Sequence, residues 1–217
     1  MNTAFRKNGP RKRAIVANSY RSAADTIGPM EPGIEIFGLT RGQFSFIDIL
    51  EHVVSEIGKC NIVIATWTAG NADIRKAEKF LKNGNVESMQ WIVDRSFKKR
   101  KPELCELISN TFGQEAIRTA RCHAKFMLAW NEEWKIVLRT SMNLNQNPRI
   151  ENFEISDDPE FLNFMRTLAE EMFETNAANG NFSTAQQGEL FKINFPETAT
   201  LRENEEKLCL NTSPIRF

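Results

Sequence analysis

HAKFMLAWNEEWKIVLRTSMN, residues 123–143, decides how this chain is read. Two apolar, strand-like runs, 123–130 and 134–140, flank Asn131-Glu132-Glu133, the pattern of a β-hairpin. The outer ends of that hairpin are polar: His123 and Lys125 on entry, Ser141 and Asn143 on exit. In a strand, residues two apart share a face, so His123 and Lys125 project together while Cys122, Ala124 and Phe126 face the other layer. Ser141 and Asn143 share a face by the same rule, and Glu154 returns to the same end after the next turn. Buried strands are not interrupted by such groups without cause, because unpaired polar groups are costly to bury. A histidine, a lysine, a hydroxyl, an amide and a carboxylate together suit a phosphate: nucleophile or acid/base, fixed cation, neutral donors and an orienting carboxylate.

Working outward, strands and helices alternate. Residues 33–39 alternate like a strand, and 46–57 carry Phe46, Ile47, Leu50, Val53, Val54 and Ile57 at helical spacing behind a Ser45 cap. His52 falls between those apolar positions and is expected at the surface or the edge of the core. A β-rich run, 61–66, ends in the loop Trp67-Thr68-Ala69-Gly70. A helix follows over 72–81, a strand over 86–93, and a helix over 102–112 with Pro102 in its first turn and Gly113 at its stop. Short strands at 116–120 and 153–155 and a helix over 159–173 complete the pattern. The expectation is an α/β domain: a mixed β-sheet flanked by helices. Three regions are expected: a basic flexible arm at 1–30, the α/β domain at 31–175 and a tail at 176–217, rich in Asn, Gly, Thr and Glu.

Lys plus Arg and Asp plus Glu both number 28, so the chain is not a polycation. The charge is unevenly placed all the same. Arg6, Lys7, Arg11, Lys12, Arg13 and Arg21 precede the first acid, and Arg95, Lys98, Lys99, Arg100 and Lys101 form a second cluster. Local patches of this kind attract phosphates even when the total cancels. Arg118 and Arg121 add positive field if they face the hairpin. Cys60, Cys105, Cys122 and Cys209 are scattered, with no C-x-x-C pair, and read as reduced thiols in a cytoplasmic protein. With His52 and His123 the only histidines, a His-rich metal site is excluded, and no cofactor is expected. No apolar run approaches a membrane span, and no apolar signal region follows the basic N-terminus.

The series His123-x-Lys125, Ser141-x-Asn143, Glu154, with its strand–helix order from about residue 33 to 174, resembles the single-motif, HKD-type half of the phospholipase D superfamily. The resemblance implies a phospholipase D-like half-domain in which His123 is the nucleophile, forming a phosphohistidine, and Lys125 and Asn143 bind the phosphate. Ser141 and Glu154 would hold and polarise the histidine. Such chemistry needs no metal, and a one-motif chain would form a homodimer with its active site on the two-fold axis. Two positions depart from the family pattern: Trp130 stands where the motif has Asp, and Thr140 where it has Gly.

The function expected is a metal-independent phosphodiesterase, a nuclease acting on nucleic acid, DNA ahead of RNA, with Lys98, Lys99, Arg100, Arg118 and Arg121 contacting the substrate. Two alternatives stand beside it: a catalytically degenerate nucleic-acid-binding or assembly protein of the same fold, and a hydrolase of phospholipids or small phosphodiesters. No interfacial amphipathic helix is evident for the last.

Overall fold

The computed structural model describes residues 22–146 and 148–175, and the backbone of 13–17. Its centre is an eight-stranded sheet. In chain order the strands are β1 (Arg13–Ala17), β2 (Glu35–Thr40), β3 (Cys60–Thr66), β4 (Val86–Asp94), β5 (Ile117–Ala120), β6 (Phe126–Trp130), β7 (Lys135–Thr140) and β8 (Glu151–Asp157). The helices are α1 (Ala23–Ile27), α2 (Phe46–Ile57), α3 (Asn71–Lys82), α4 (Arg95–Arg100), α5 (Pro102–Phe112) and α6 (Pro159–Thr175). Across the sheet the order is β1-β2-β8-β7-β6-β3-β4-β5. The β1–β2 pair and the run β3–β4–β5 are parallel, and the remaining pairs are antiparallel, so the sheet is mixed as expected.

Alternation along each strand makes two apolar layers. Ile62 and Ile64 of β3, Trp91 and Val93 of β4, Met127 and Ala129 of β6 and Ile136 and Leu138 of β7 join one large core with the apolar stripes of α2, α3 and α5. Their neighbours Val63, Ala65, Ile92, Phe126, Leu128 and Val137 are equally buried but belong to the opposite face. There α6 crosses β5, β6 and β7, bringing Leu162 and Ala169. The helix α2 begins as its sequence indicates: Ser45 N–H and Oγ both donate to Asp48 Oδ2, at 2.7 and 2.8 Å. In the core, Cys60 and Cys105 are buried, which pushes both thiols up to about 11.

Register brings the functional ends together. Ala65 of β3 pairs with Phe126, Phe126 with Arg139, Thr140 with Phe153, and Glu151 with Thr40. The carboxyl ends of β2, β3, β4, β5 and β7 and the starts of β6 and β8 therefore share one edge of the sheet. That is where α/β sheets place their ligands.

Several elements differ from the sequence expectation. The segment expected as a flexible arm contains β1, which pairs with β2, and α1, whose Ala23, Thr26 and Ile27 are buried behind a Ser22 cap. A strand of five residues and a helix of barely more than one turn are too short to show a period. The rest of the basic N-terminal cluster and the tail from 176 lie outside the described residues, as does Asn147. The basic cluster at 95–101 is largely a helix, α4, whose single buried apolar residue, Phe97, makes no stripe to read. His52 is buried, not peripheral, and its Nε2 lies 2.7 Å from Gly28 O. Strand β6 starts at Phe126, so His123 and Lys125 lie just ahead of it, outside the strand. Among the described residues no helix is long and apolar enough to cross a membrane.

Candidate active site

Four segments meet at the shared edge: the loop after β3, helix α4 after β4, the chain from Arg121 to Lys125 after β5, and the turn from Ser141 onward after β7. Each is fastened to another. Thr66 Oγ1 donates to Thr68 O at 2.7 Å and accepts from Leu144 N at 3.1 Å, and Gly70 N donates to Leu144 O at 2.7 Å. The loop carrying Trp67 is thus bound to the turn carrying Asn143. Asp94 joins another pair: Oδ1 caps α4 by accepting from Ser96 N at 2.8 Å, and Oδ2 accepts from Cys122 N at 3.0 Å. Thr140 Oγ1 donates to Asn152 O at 2.6 Å and ties the exit of β7 to β8.

His123 and Lys125 come together as expected. Lys125 Nζ lies 3.0 Å from His123 Nδ1 and 3.3 Å from Nε2, and donates to His123 O at 2.7 Å. Partial burial lowers the Lys125 pKa from its ordinary value, opposed by the nearby Glu151 carboxylate. The ammonium therefore lies against the imidazole, close to both ring nitrogens.

Lys125, but not His123, also lines an open cavity of about 360 Å³, together with Arg139, Ser141 and Glu154, and with Met165 from α6. The carboxylates here are shared out differently from the expectation. Ser141 Oγ donates to Glu151, and Glu154 pairs with Arg139, whose guanidinium also stacks over Phe161 at 5.0 Å. Glu154 thus lines the cavity with Lys125 and Ser141, but its carboxylate is held by Arg139. Ser141 Oγ also accepts from Asn152 N at 3.0 Å, so the hydroxyl is fixed from two sides. Asn143 sits in the next turn, half-buried, and its side-chain oxygen has no hydrogen-bond partner among the described residues.

The expected cations divide. Arg118 does not face the site: it is buried, donates to Glu115 O at 2.9 Å and Ile117 O at 3.0 Å, pairs with the Glu115 carboxylate, and covers the Phe173 ring at 4.8 Å. It clamps β5 to the end of α6. Arg121 is exposed beside His123. Of the α4 cluster, Lys98 is half-exposed and Lys99 and Arg100 are exposed, with Arg100 Cζ 4.1 Å from the centre of the Trp67 ring. Trp67 in turn meets the His123 ring, centroid to centroid 5.9 Å and tilted by 55°. Sequence reading passed over Trp67 as a loop residue. Its one signal was a large aromatic directly after a strand's carboxyl end, in a loop of otherwise small residues.

Trp130, which the resemblance would set at the motif Asp position, lies at the far end of β6 beneath Arg166, 5.2 Å from its ring centre. It is five positions along the chain from Lys125, about 16 Å at strand rise. A side chain there touches neither His123 nor the cavity. Among the described residues, no cluster of His, Cys, Asp or Glu could hold a metal ion.

No family model and no curated protein matches the sequence. Solved structures do. NucT from Helicobacter pylori is 16% identical, with a TM-score of 0.48 over 64% of this chain and 96% of that one. Nuc from Salmonella typhimurium, described as a phospholipase D family member, is 14% identical, with a TM-score of 0.48 over 64% of this chain and 93% of that one. Polyphosphate kinase from Porphyromonas gingivalis is 14% identical, with a TM-score of 0.49 over 73% of this chain and 29% of that one. These similar structures are phospholipase D superfamily members. The likeness is one of chain path.

Proposed function

We propose that the protein is a phosphodiesterase that cleaves nucleic-acid backbones through a phosphohistidine at His123. The observation that carries this reading is the Lys125 ammonium, held against the His123 ring and itself lining a cavity that also receives Ser141 and Glu154. A phosphodiester brought there meets a cation for its non-bridging oxygens and a nitrogen lone pair for its phosphorus.

The step balances without a cofactor. The imidazole nitrogen bonds to phosphorus as the bond to the leaving oxygen breaks, and that oxygen takes a proton from an acid. Water then adds to phosphorus and gives up a proton, and the P–N bond breaks to restore the imidazole. Each chain supplies one histidine at this edge, so a homodimer would provide the acid from a second copy. Lys125 and Asn143 bind the phosphate in this reading. Exposed Arg121 and the basic face of α4 attract the flanking backbone, an interaction weakened by salt. The buried thiols suit a reducing, cytoplasmic setting.

The test is digestion of single- and double-stranded DNA and RNA in EDTA, comparing the wild type with His123→Ala. Cleavage by the wild type that drops more than about 100-fold in the variant supports the reading. Binding without cleavage by either protein replaces it with a non-catalytic nucleic-acid-binding role. Cleavage retained in His123→Ala removes His123 as nucleophile.

A further inference from the structure

Trp67 is a half-exposed indole at an otherwise polar edge, and its placement is not slack. Its loop is bound to the Ser141–Leu144 turn by the Thr66, Gly70 and Leu144 hydrogen bonds, and by a bridge between Ala69 and Leu144. One neighbour is His123, 5.9 Å away between ring centres, and another is the flat guanidinium of Arg100, 4.1 Å from the ring centre. Arg100 ends a helix that also carries Lys98 and Lys99. Moving out from the candidate phosphate site, a ligand therefore meets an aromatic ring, a planar cation and then a basic helix.

We infer that Trp67 and Arg100 form a stacking platform for the nucleobase flanking the phosphate at His123, and that the substrate is consequently single-stranded nucleic acid. The inference rests on the phosphodiester reading for the position of that phosphate. Every base has a π-face, so stacking on an indole is tolerant of sequence, and a guanidinium serves as a second stacking surface. The Arg100 guanidinium already occupies the kind of place a base would take. When a base enters, this exposed side chain can lie over it or turn to the adjoining phosphate. Within a duplex both faces of a base are covered by its neighbours, so a platform of this kind favours a strand whose bases are free.

The experiment is equilibrium binding in EDTA by the full chain carrying His123→Asn, which keeps a polar side chain near Trp67 without the nucleophile. The probes are a fluorescent single-stranded DNA oligonucleotide, the same length of abasic strand, the corresponding duplex, and phosphatidylglycerol vesicles. The intact single strand should bind about tenfold or more tightly than the abasic strand. Adding Trp67→Ala should erase that difference, and Trp67→Phe should keep most of it. Equal binding of intact and abasic strands overturns the platform, as does unchanged intact-strand binding in Trp67→Ala with an unaltered melting curve. Tighter binding of the duplex overturns the single-strand assignment, and binding to vesicles but not to DNA overturns the substrate class. Cleavage by the chain with His123 intact separates the two readings. Hydrolysis of intact and abasic strands at equal rates leaves the phosphodiesterase standing and removes the platform. A base-dependent, Trp67-dependent affinity without hydrolysis does the reverse.

Discussion

The Asp94 carboxylate accepts a hydrogen bond from the backbone N–H of Cys122, at 3.0 Å, while capping α4 with its other oxygen. One side chain thus sets both the segment entering His123 and the helix bearing Arg100. Asp94→Ala removes a helix cap and the tie to the segment entering His123, and should lower stability by about 1–2 kcal/mol. Asp94→Asn keeps an acceptor for one N–H only and should lower turnover more than it lowers the melting temperature. Turnover equal to the wild type in both variants would show that the tie does not position His123.

Lys125 is held below its ordinary pKa by burial, and Glu151 acts in the opposite direction. In the proposed mechanism the ammonium is the form that binds phosphate, so activity should decline on the alkaline side as that pKa is crossed. Glu151→Gln removes a negative charge that favours the ammonium, so the pKa falls further and the alkaline limb moves to lower pH. A pH–rate profile of both proteins checks the sign. A limb that stays in place, or moves to higher pH, would detach Lys125 from the titration.

Glu154 is occupied by Arg139, whereas Ser141 gives its hydroxyl hydrogen to Glu151. If Glu154 turns to orient His123 when substrate binds, Glu154→Gln should reduce turnover about 100- to 10,000-fold with little change in stability. Arg139→Met, which frees that carboxylate, should then alter turnover far less. Equal losses in the two variants would mean that the ion pair matters as a unit.

Arg118 binds protein, not substrate. Its charge-assisted bonds to Glu115 and to backbone carbonyls predict that Arg118→Ala loses about 1–3 kcal/mol of stability. Affinity for an oligonucleotide, measured well below the melting temperature, should remain within twofold of the wild type, on the order expected of a residue outside the interface.

Gly38 lies under the Phe153 ring, where any Cβ would collide with buried carbon atoms. Phe153 is fully buried and meets Phe44 edge-on, ring centres 5.7 Å apart. Gly38→Ala should cost about 1–3 kcal/mol or more through overpacking, read as a lower denaturant midpoint. Full stability would require β2 and β8 to separate locally, visible as faster amide exchange across that pair.

Much of the architecture was legible because it depends on local periodicity. Helix α5 spans the residues its Pro and Gly punctuation indicates, and α2 starts at the Ser45 cap. The hairpin β6–β7 turns at Asn131, whose side chain accepts from Glu133 N at 3.0 Å and Trp134 N at 2.8 Å. What escaped was either too short to show a period, as β1 and α1, or too basic to show a stripe, as α4. At the site, His123 and Lys125 were legible because they are two residues apart. Arg118 misled for a related reason: proximity in sequence to His123 says nothing about which face of β5 an arginine takes.

By itself the sequence determined the alternation of strands and helices and the polar ends of the hairpin, since both follow from spacings of a few residues. Tertiary structure alone decided which of those polar groups meet. Parallel register of β3, β4 and β5 carries Trp67, Asp94 and Cys122 to one edge across tens of residues. The loop conformations there then set Trp67 against His123 and Asp94 against the Cys122 amide. Those pairings depend on how distant segments pack, and no local periodicity encodes them.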